Sequence, residues 1–122
     1  MRSVIRERSF GSVKVFWLDR EEALARVRAA ATRLVRDRPD VHAVYLFGSL
    51  AQGRAVPGSD ADVLILSARS DRRWLDRPLG LGPWFDDVGM PIELFCYTLE
   101  EAERTPLART ALETGTLLAG AA

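Results

Sequence analysis

Three short, nearly continuous apolar runs stand out along the chain. They occupy residues 41–47 (VHAVYLF), 61–66 (ADVLIL) and 92–97 (IELFCY). Each has the length of a strand and is rich in β-branched and aromatic residues, a pattern typical of strands covered on both faces. The hydrophobic pattern therefore predicts three buried strands.

A helical period precedes the first of these runs. Asp19 stands three residues before Glu22, which is the spacing of an N-cap and its capping-box partner. Pro39 limits the helix at its other end. Between them, apolar residues recur at helical spacing: Leu24, Val27, Ala31, Leu34 and Val35. The segment is predicted to form an amphipathic helix.

The N-terminal segment has a different period. Residues 9–18 (SFGSVKVFWL) alternate apolar and polar positions, which predicts a short strand, or one arm of a hairpin. We expect residues 1–18 to be an extension, and residues 19–122 to form the main domain. Trp17 is expected to be a packing residue rather than a platform for base stacking.

Capping signals predict the remaining helices. Ser70 could begin a short helix through Leu75, and Pro83 could open another that ends at Gly89. Residues 98–101 repeat the capping-box spacing, and Pro106 opens a last helix that ends at Gly115. The order of strands and helices predicts an α+β or α/β fold, a mixed sheet with helices packed against it.

Composition narrows the class of protein only a little. The chain has 122 residues, which suits one domain, and its 17 basic residues balance 17 acidic ones. This balance argues against binding of a polyanion through bulk charge. Cys96 is the only cysteine, and no apolar run approaches the length of a membrane span. We expect a protein of the reducing cytoplasm.

Three carboxylates occur at the beginnings of buried strand candidates. Asp60 and Asp62 are two residues apart and face the same way on a strand, and Glu93 lies early in the third run. Ionised carboxylates in a cluster repel one another unless a cation lies between them. One interpretation is that they are solvated at an exposed strand end. The other is a site for Mg²⁺ or Mn²⁺, which prefer oxygen ligands.

A glycine and a serine directly follow the first run. Gly48 lets a ligand approach the backbone closely, and Ser49 offers a hydroxyl and an N–H to a phosphate oxygen. A glycine-serine pair alone is only a turn signal. Its value here is the spacing, because ten residues separate the pair from Asp60 on the next apolar strand.

This segment, LFGSLAQGRAVPGSDADVLIL, resembles the motif of the nucleotidyltransferase superfamily that includes DNA polymerase beta. That motif is a hydrophobic residue, Gly, Gly or Ser, about ten residues, and then acid-x-acid among apolar residues. A third acid on a later strand is expected in the family, and PIELFCY supplies Glu93. The size and the ending ALETGTLLAG look like those of the minimal nucleotidyltransferases. The resemblance covers residues 41 to about 119.

The resemblance implies a role for each matched position. Gly48 and Ser49 would hold the β- and γ-phosphates of a nucleoside triphosphate. Asp60, Asp62 and Glu93 would be catalytic and would bind Mg²⁺ or Mn²⁺. The reaction would transfer a nucleoside monophosphate to a hydroxyl and release pyrophosphate, with ATP as the expected donor.

The sequence departs from the family pattern at two kinds of position. Minimal members often carry arginine shortly after the glycine-serine pair, where this chain has Leu50 and Gln52. Arg54 could supply the missing positive charge. The third acid is often Asp, and here it is Glu93, which is one methylene longer.

Three functions remain open at the sequence level. By resemblance, this chain would pair with a small helical HEPN-family toxin, as many minimal members do, act as its antitoxin, and adenylylate it on a tyrosine. The size of the chain favours a macromolecular acceptor, because an acceptor-binding domain is not evident. The second possibility is a non-catalytic protein that neutralises a partner by contact. The third is a small-molecule nucleotidyltransferase that works as a homodimer.

Overall fold

The computed structural model describes residues 2–121, in which strands and helices alternate along most of the chain. The strands are β1 (Ile5–Phe10), β2 (Val13–Leu18), β3 (Val41–Phe47), β4 (Ala61–Ser67), β5 (Ile92–Thr98) and β6 (Thr116–Gly120). The helices are α1 (Arg20–Asp37), α2 (Gly48–Ala51), α3 (Arg77–Leu81), α4 (Leu99–Glu103) and α5 (Pro106–Thr114).

The central sheet contains four strands in the order β5-β4-β3-β6. Strand β3 pairs antiparallel with both β4 and β6, whereas β4 and β5 are parallel. The mixed sheet with helices packed against it confirms the predicted fold class. Strand β6 was not predicted, because its short stretch of threonine, leucine, alanine and glycine carries no clear strand period.

Helices cover both faces of this sheet. Val44, Val63 and Ile65 point to one face and pack with Val27 and Leu34 of α1. The opposite face carries a second apolar cluster, formed with α4 and α5. Its buried members are Ala43, Tyr45, Leu64, Leu66, Ala102, Ala108 and Ala111. The central strands β3 and β4 are therefore buried on both sides, as their continuous apolar runs predict.

Helix α1 begins where the sequence predicts, but it forms only one of the two hydrogen bonds of the predicted capping box. The Asp19 carboxylate accepts a hydrogen bond from the Glu22 N–H at 3.1 Å. The reciprocal bond of a capping box is replaced, because the Glu22 carboxylate accepts from Arg26 Nε at 2.8 Å instead. Helix α4 has the complete capping box between Thr98 and Glu101.

The segment between β4 and β5 differs from the prediction. Ser70 accepts a hydrogen bond from the Arg72 N–H, but no helix follows there. Helical turns begin only at Trp74, and Pro83 lies in a single 3₁₀ turn, Gly82–Phe85, rather than in a helix reaching Gly89. Prolines and glycines in this segment limit each helical turn to a few residues. A single capping residue therefore does not predict where a helix begins or ends here.

Strand β5 is an edge strand and is less buried than predicted. Among its residues only Cys96 is fully buried, and burial raises the pKa of this thiol to about 11. The exposed edge leaves the early part of β5 open to solvent, which matters for the position of Glu93. Within residues 2–121, no helix combines the length and apolar character needed to span a bilayer.

A partly buried ion pair fixes the start of α4 against α3. Arg77 donates to both carboxylate oxygens of Glu101, at 2.5 and 3.1 Å, and also to the Cys96 carbonyl. These bonds, together with the Thr98 N–H, lower the pKa of Glu101 to about 2. A carboxylate with a depressed pKa in the folded state stabilises the fold above its unfolded pKa, and this contribution is lost as the pH falls toward 2.

Replacing Glu101 with Gln is therefore expected to destabilise the protein by about 2 kcal/mol at pH 7, since Arg77 stays buried without its charged partner. Thermal melts between pH 7 and about pH 2 should show the difference from the native protein shrinking as the native Glu101 becomes protonated. Glu100→Gln is the matched control, because the Glu100 side chain is 82% exposed and its ion pair with Arg104 spans 3.9 Å. A pH-independent difference for Glu101→Gln would contradict the assignment.

Candidate active site

The three sequence-predicted acids lie on one face of the sheet at the same end. Asp62 is the second residue of β4 and Glu93 the second residue of β5, and the two are paired in the parallel register. Asp60 precedes Asp62 by two residues, just before β4 begins. Asp60 and Glu93 are exposed, whereas Asp62 is partly buried.

The electrostatics of Asp62 reflect this neighbourhood. Burial is the largest cause that raises the pKa of Asp62, followed by the charges of Glu93 and Asp60 and a hydrogen bond with Glu93. Among residues 2–121, none of the three carboxylates forms an ion pair with an arginine or lysine. Their negative charge is therefore uncompensated within the described chain.

The acids are neighbours, but they do not meet at one point. In the part of the chain that the structure describes, no three histidine, cysteine or acidic side chains converge closely enough to form a metal site as they stand. The expectation of full convergence is therefore not met in this conformation.

Gly48, the first residue of the glycine-serine pair, lies directly beside Asp62. Gly48 begins α2 immediately after β3 and has a φ of 75°, a conformation that favours glycine. A Cβ at this position would lie 2.2 Å from Asp62 Oδ2, so that only glycine lets the carboxylate come this close. The register explains the contact, because Phe47 pairs with Asp62 across the β3–β4 ladder.

The turn after α2 folds back onto the same region. The Arg54 N–H donates to the Ser49 carbonyl at 2.8 Å, and the Arg54 guanidinium donates to the Gln52 side chain. Leu50, by contrast, is 2% exposed and belongs to the core beneath the turn. Arg54 is the one basic residue between Gly48 and Asp60, and Arg20 of α1 approaches the same segment by donating to the Ala55 carbonyl at 3.0 Å.

Other polar residues lie away from the acids. His42 and Tyr45 line a cavity of about 730 Å³ near the opposite end of β3. Asp86 and Asp87 line a second cavity of about 720 Å³, together with Ile92 and Leu94 of β5. Because successive strand residues alternate in direction, these two β5 side chains point to the face opposite Glu93.

The fold and the site together define a class of protein: an α+β domain in which a glycine-serine turn contacts one of three acids on neighbouring strands. The nucleotidyltransferase domain family model matches residues 27–117, and the chain belongs to this family. Strands β3, β4 and β5 and the turn all lie within the matched residues.

Two solved structures share the fold. A candidate nucleotidyltransferase from Sulfolobus solfataricus aligns over 80% of both chains, with a TM-score of 0.60 and 18% identity. A chain from a toxin–antitoxin complex with AMP-PNP aligns over 80% of this chain and 73% of its own length, with a TM-score of 0.54 and 20% identity. No curated protein is significantly similar to the sequence.

Proposed function

We propose that this nucleotidyltransferase transfers AMP from ATP to a hydroxyl of a partner protein, as the cytoplasmic antitoxin of a HEPN-type toxin, and that it requires Mg²⁺ or Mn²⁺. One observation carries the enzymatic part: Asp62 and Glu93 are register partners on parallel strands, and Gly48 contacts Asp62. Membership of the family supports nucleotidyl transfer, whereas the acceptor and the partner go beyond it.

The acids have the chemistry of a magnesium site. Asp60, Asp62 and Glu93 offer only oxygen ligands, which suit Mg²⁺ or Mn²⁺. Burial, and after it the charges of Glu93 and Asp60, raises the pKa of Asp62. A divalent cation neutralises uncompensated negative charge of this kind. When bound there, such ions would stabilise the charge that develops on the transferred phosphoryl group.

In the proposed reaction, residues of this chain bind the triphosphate and accept the proton of the acceptor hydroxyl. The acceptor hydroxyl oxygen forms a bond to the α-phosphorus, and the bond between that phosphorus and the α–β bridging oxygen breaks. Pyrophosphate leaves with the electron pair of the broken bond. Glu93 is exposed beside Asp62 and takes the proton of the acceptor hydroxyl, while Gly48 and Ser49 hold the β- and γ-phosphates.

A macromolecular acceptor fits the openness of the site. Glu93 is exposed on β5, the edge strand of the sheet among residues 2–121, and Asp60 is exposed at the start of the neighbouring strand β4. A partner protein can bring its own contact surface to such an edge. The choice of ATP and of a toxin as partner rests on the resemblance in sequence motif and on similarity in fold to a chain from a toxin–antitoxin complex with AMP-PNP.

Pyrophosphate release tests the proposal. The native protein is incubated with Mg²⁺, each of the four ribonucleoside triphosphates in turn, and a candidate HEPN partner. We expect release with ATP, together with a mass increase of one AMP on the partner. Release without a partner, with AMP on a small alcohol or amino sugar, would favour the small-molecule alternative.

A non-catalytic binding protein is the second candidate function. The observation that favours it is the loss of charge near the turn, since Leu50 is buried in the core and Gln52 is neutral. Such a protein would inhibit the partner without releasing pyrophosphate. Its inhibition would also be unaffected by EDTA.

Arg54 is expected to supply part of the missing charge. Its backbone is tied to Ser49, so its guanidinium belongs to the same turn as the proposed phosphate site. We expect Arg54→Gln to raise the KM for ATP by about tenfold, the effect of about 1.4 kcal/mol of lost binding, with a smaller change in kcat. Steady-state kinetics of pyrophosphate release would measure both constants. Arg36→Gln is the control, because Arg36 is exposed on α1 and pairs with Asp37.

A further inference from the structure

The N-terminal hairpin of β1 and β2 projects from the body of the protein. Its base is anchored, because Val4 and Leu18 are buried and the Asp19 N–H donates to the Val4 carbonyl at 2.8 Å. Beyond this base, every residue from Gly11 to Trp17 is exposed. The hairpin is thus held to the domain at one end only.

One face of the hairpin carries the exposed apolar side chains of β2. On β1 the same face carries Arg6 and Arg8, opposite Trp17 and Val15, and the Arg8 guanidinium lies 5.2 Å from the Phe10 ring centroid. Phe10, Val13, Val15 and Trp17 share this face, since Phe10 pairs with Val13, and β2 side chains alternate. They are 56%, 58%, 44% and 44% exposed, respectively. Trp17, which is expected to be a packing residue, is thus less buried than that expectation implies. An alternating pattern that normally marks a half-buried strand here faces solvent, which is typical of an interaction surface.

The outer edge of β2 is unpaired. The two-residue turn Gly11–Ser12 closes the hairpin with Phe10 opposite Val13, and Gly11 has a φ of 63°. Hydrogen-bonded and non-hydrogen-bonded pairs alternate from that closing pair, so the backbone groups of Lys14 and Phe16 point away from β1. Within residues 2–121, no other segment hydrogen-bonds to these outward groups.

The two edges of the hairpin differ in charge. Strand β1 carries Arg6, Glu7 and Arg8 in succession, whereas Lys14 is the one charged residue of β2. Charges on an edge strand oppose pairing with another chain, and an apolar edge invites it. A two-stranded ribbon is also only marginally stable until further strands join it. The edge of β2 is therefore the one suited to accept a strand.

We propose that β2 pairs antiparallel with β2 of a second copy of this chain, joining the two hairpins into one four-stranded sheet. With the two-fold axis at Val15, Val15 faces its own counterpart and Val13 faces Trp17 of the second copy. Lys14 faces Phe16 of the second copy, and these residues exchange the outward hydrogen bonds. This proposal does not depend on the proposed function.

The choice of a second copy follows from the self-complementary register. In this arrangement the apolar residues of both copies lie side by side on one face, and no two like charges stand opposite each other. The same symmetric pairing of β1 about Glu7 would place Glu7 against Glu7 and Arg6 against Arg8, which is unfavourable. A sequence that matches itself across a two-fold axis is what an isologous dimer requires.

Solution mass tests the pairing. We expect twice the chain mass for the native protein in light scattering coupled to size exclusion, and the single-chain mass for Phe16→Pro. Proline removes the outward N–H of Phe16 but leaves the ladder to β1 intact. Glu7→Pro is the matched control, because Glu7 pairs with Phe16 and its N–H points to the other edge of the hairpin. This control should remain dimeric.

A second variant keeps the hydrogen bonds and adds repulsion. Val15→Lys places two ammonium groups opposite each other at the axis, so we expect a monomer at low salt and partial recovery of the dimer at high salt. Circular dichroism and melting curves establish that each variant is folded. A native protein that is monomeric at all concentrations would overturn the proposal. A different protein would then be the partner that binds the edge of β2. Dimers that persist in both Phe16→Pro and Val15→Lys would also overturn it, because the contact would lie elsewhere.

Discussion

Replacing Asp62 with Asn should reduce nucleotidyl transfer by about a hundredfold or more, with no loss of stability. The carboxylate is the proposed metal ligand closest to the glycine-serine turn, and an amide offers one neutral oxygen in its place. Its charge is a cost to the fold, since burial and the charges of Glu93 and Asp60 raise its pKa. Removing that charge should leave the melting temperature unchanged or slightly higher. A loss of activity without a loss of stability would identify Asp62 as a carboxylate that serves the reaction rather than the fold.

The measurement is pyrophosphate release with ATP, Mg²⁺ and the partner, alongside thermal melts of each variant. A double variant, Asp60→Asn with Asp62→Asn, should have no measurable activity. Asp86→Asn with Asp87→Asn is the matched control, because these adjacent acids are exposed and line the cavity beside Ile92 and Leu94, away from the proposed site. A native protein as inactive as the double variant would favour the non-catalytic alternative. A marked fall in stability for Asp62→Asn would mean that the carboxylate has a structural role.

Much of the fold follows from local pattern. Strand β3 has the predicted limits, and β4 extends the prediction by one residue, because continuous apolar runs mark strands buried on both faces. The capping residues of α1, α4 and α5 also lie where their spacing predicts. The alternation in the N-terminal segment predicts extended structure but cannot tell whether its apolar face is covered by this chain.

The site required information that the sequence does not carry directly. The spacing of Asp60 and Asp62 predicts that they share a face, but the proximity of Glu93 depends on β5 lying beside β4. That order of strands is a property of the whole sheet. Edge position is equally non-local, and it explains why β5 was predicted to be buried and is instead half-exposed. The contact between Gly48 and Asp62 depends on the β3–β4 register, which pairs Phe47 with Asp62.

This contact leads to the second prediction, the effect of replacing Gly48 with Ala. We expect a loss of stability from strain in the backbone and a loss of reaction rate from displacement of the Asp62 carboxylate. An alanine at a φ of 75° costs about 1–2 kcal/mol of stability. The new Cβ would also lie 2.2 Å from Asp62 Oδ2, and since β4 holds the Asp62 backbone, the carboxylate has to turn away. Misplacement of a reacting group by about 1 Å can cost a hundredfold in rate, so we expect a loss of that order.

Gly53→Ala is the control that separates the effect of backbone strain from the effect of displacing the Asp62 carboxylate. Gly53 lies in the same connection with a φ of 72°, but a Cβ there would have no atom within 4 Å. Both variants should therefore lose similar stability in denaturant unfolding, while only Gly48→Ala should lose most of its pyrophosphate release. Equal losses of activity in the two variants would mean that the backbone conformation of the turn controls the reaction. Because the two substitutions share the backbone strain and differ in what the new methyl group meets, the difference between their activities measures the contribution of the close approach of Gly48 to Asp62.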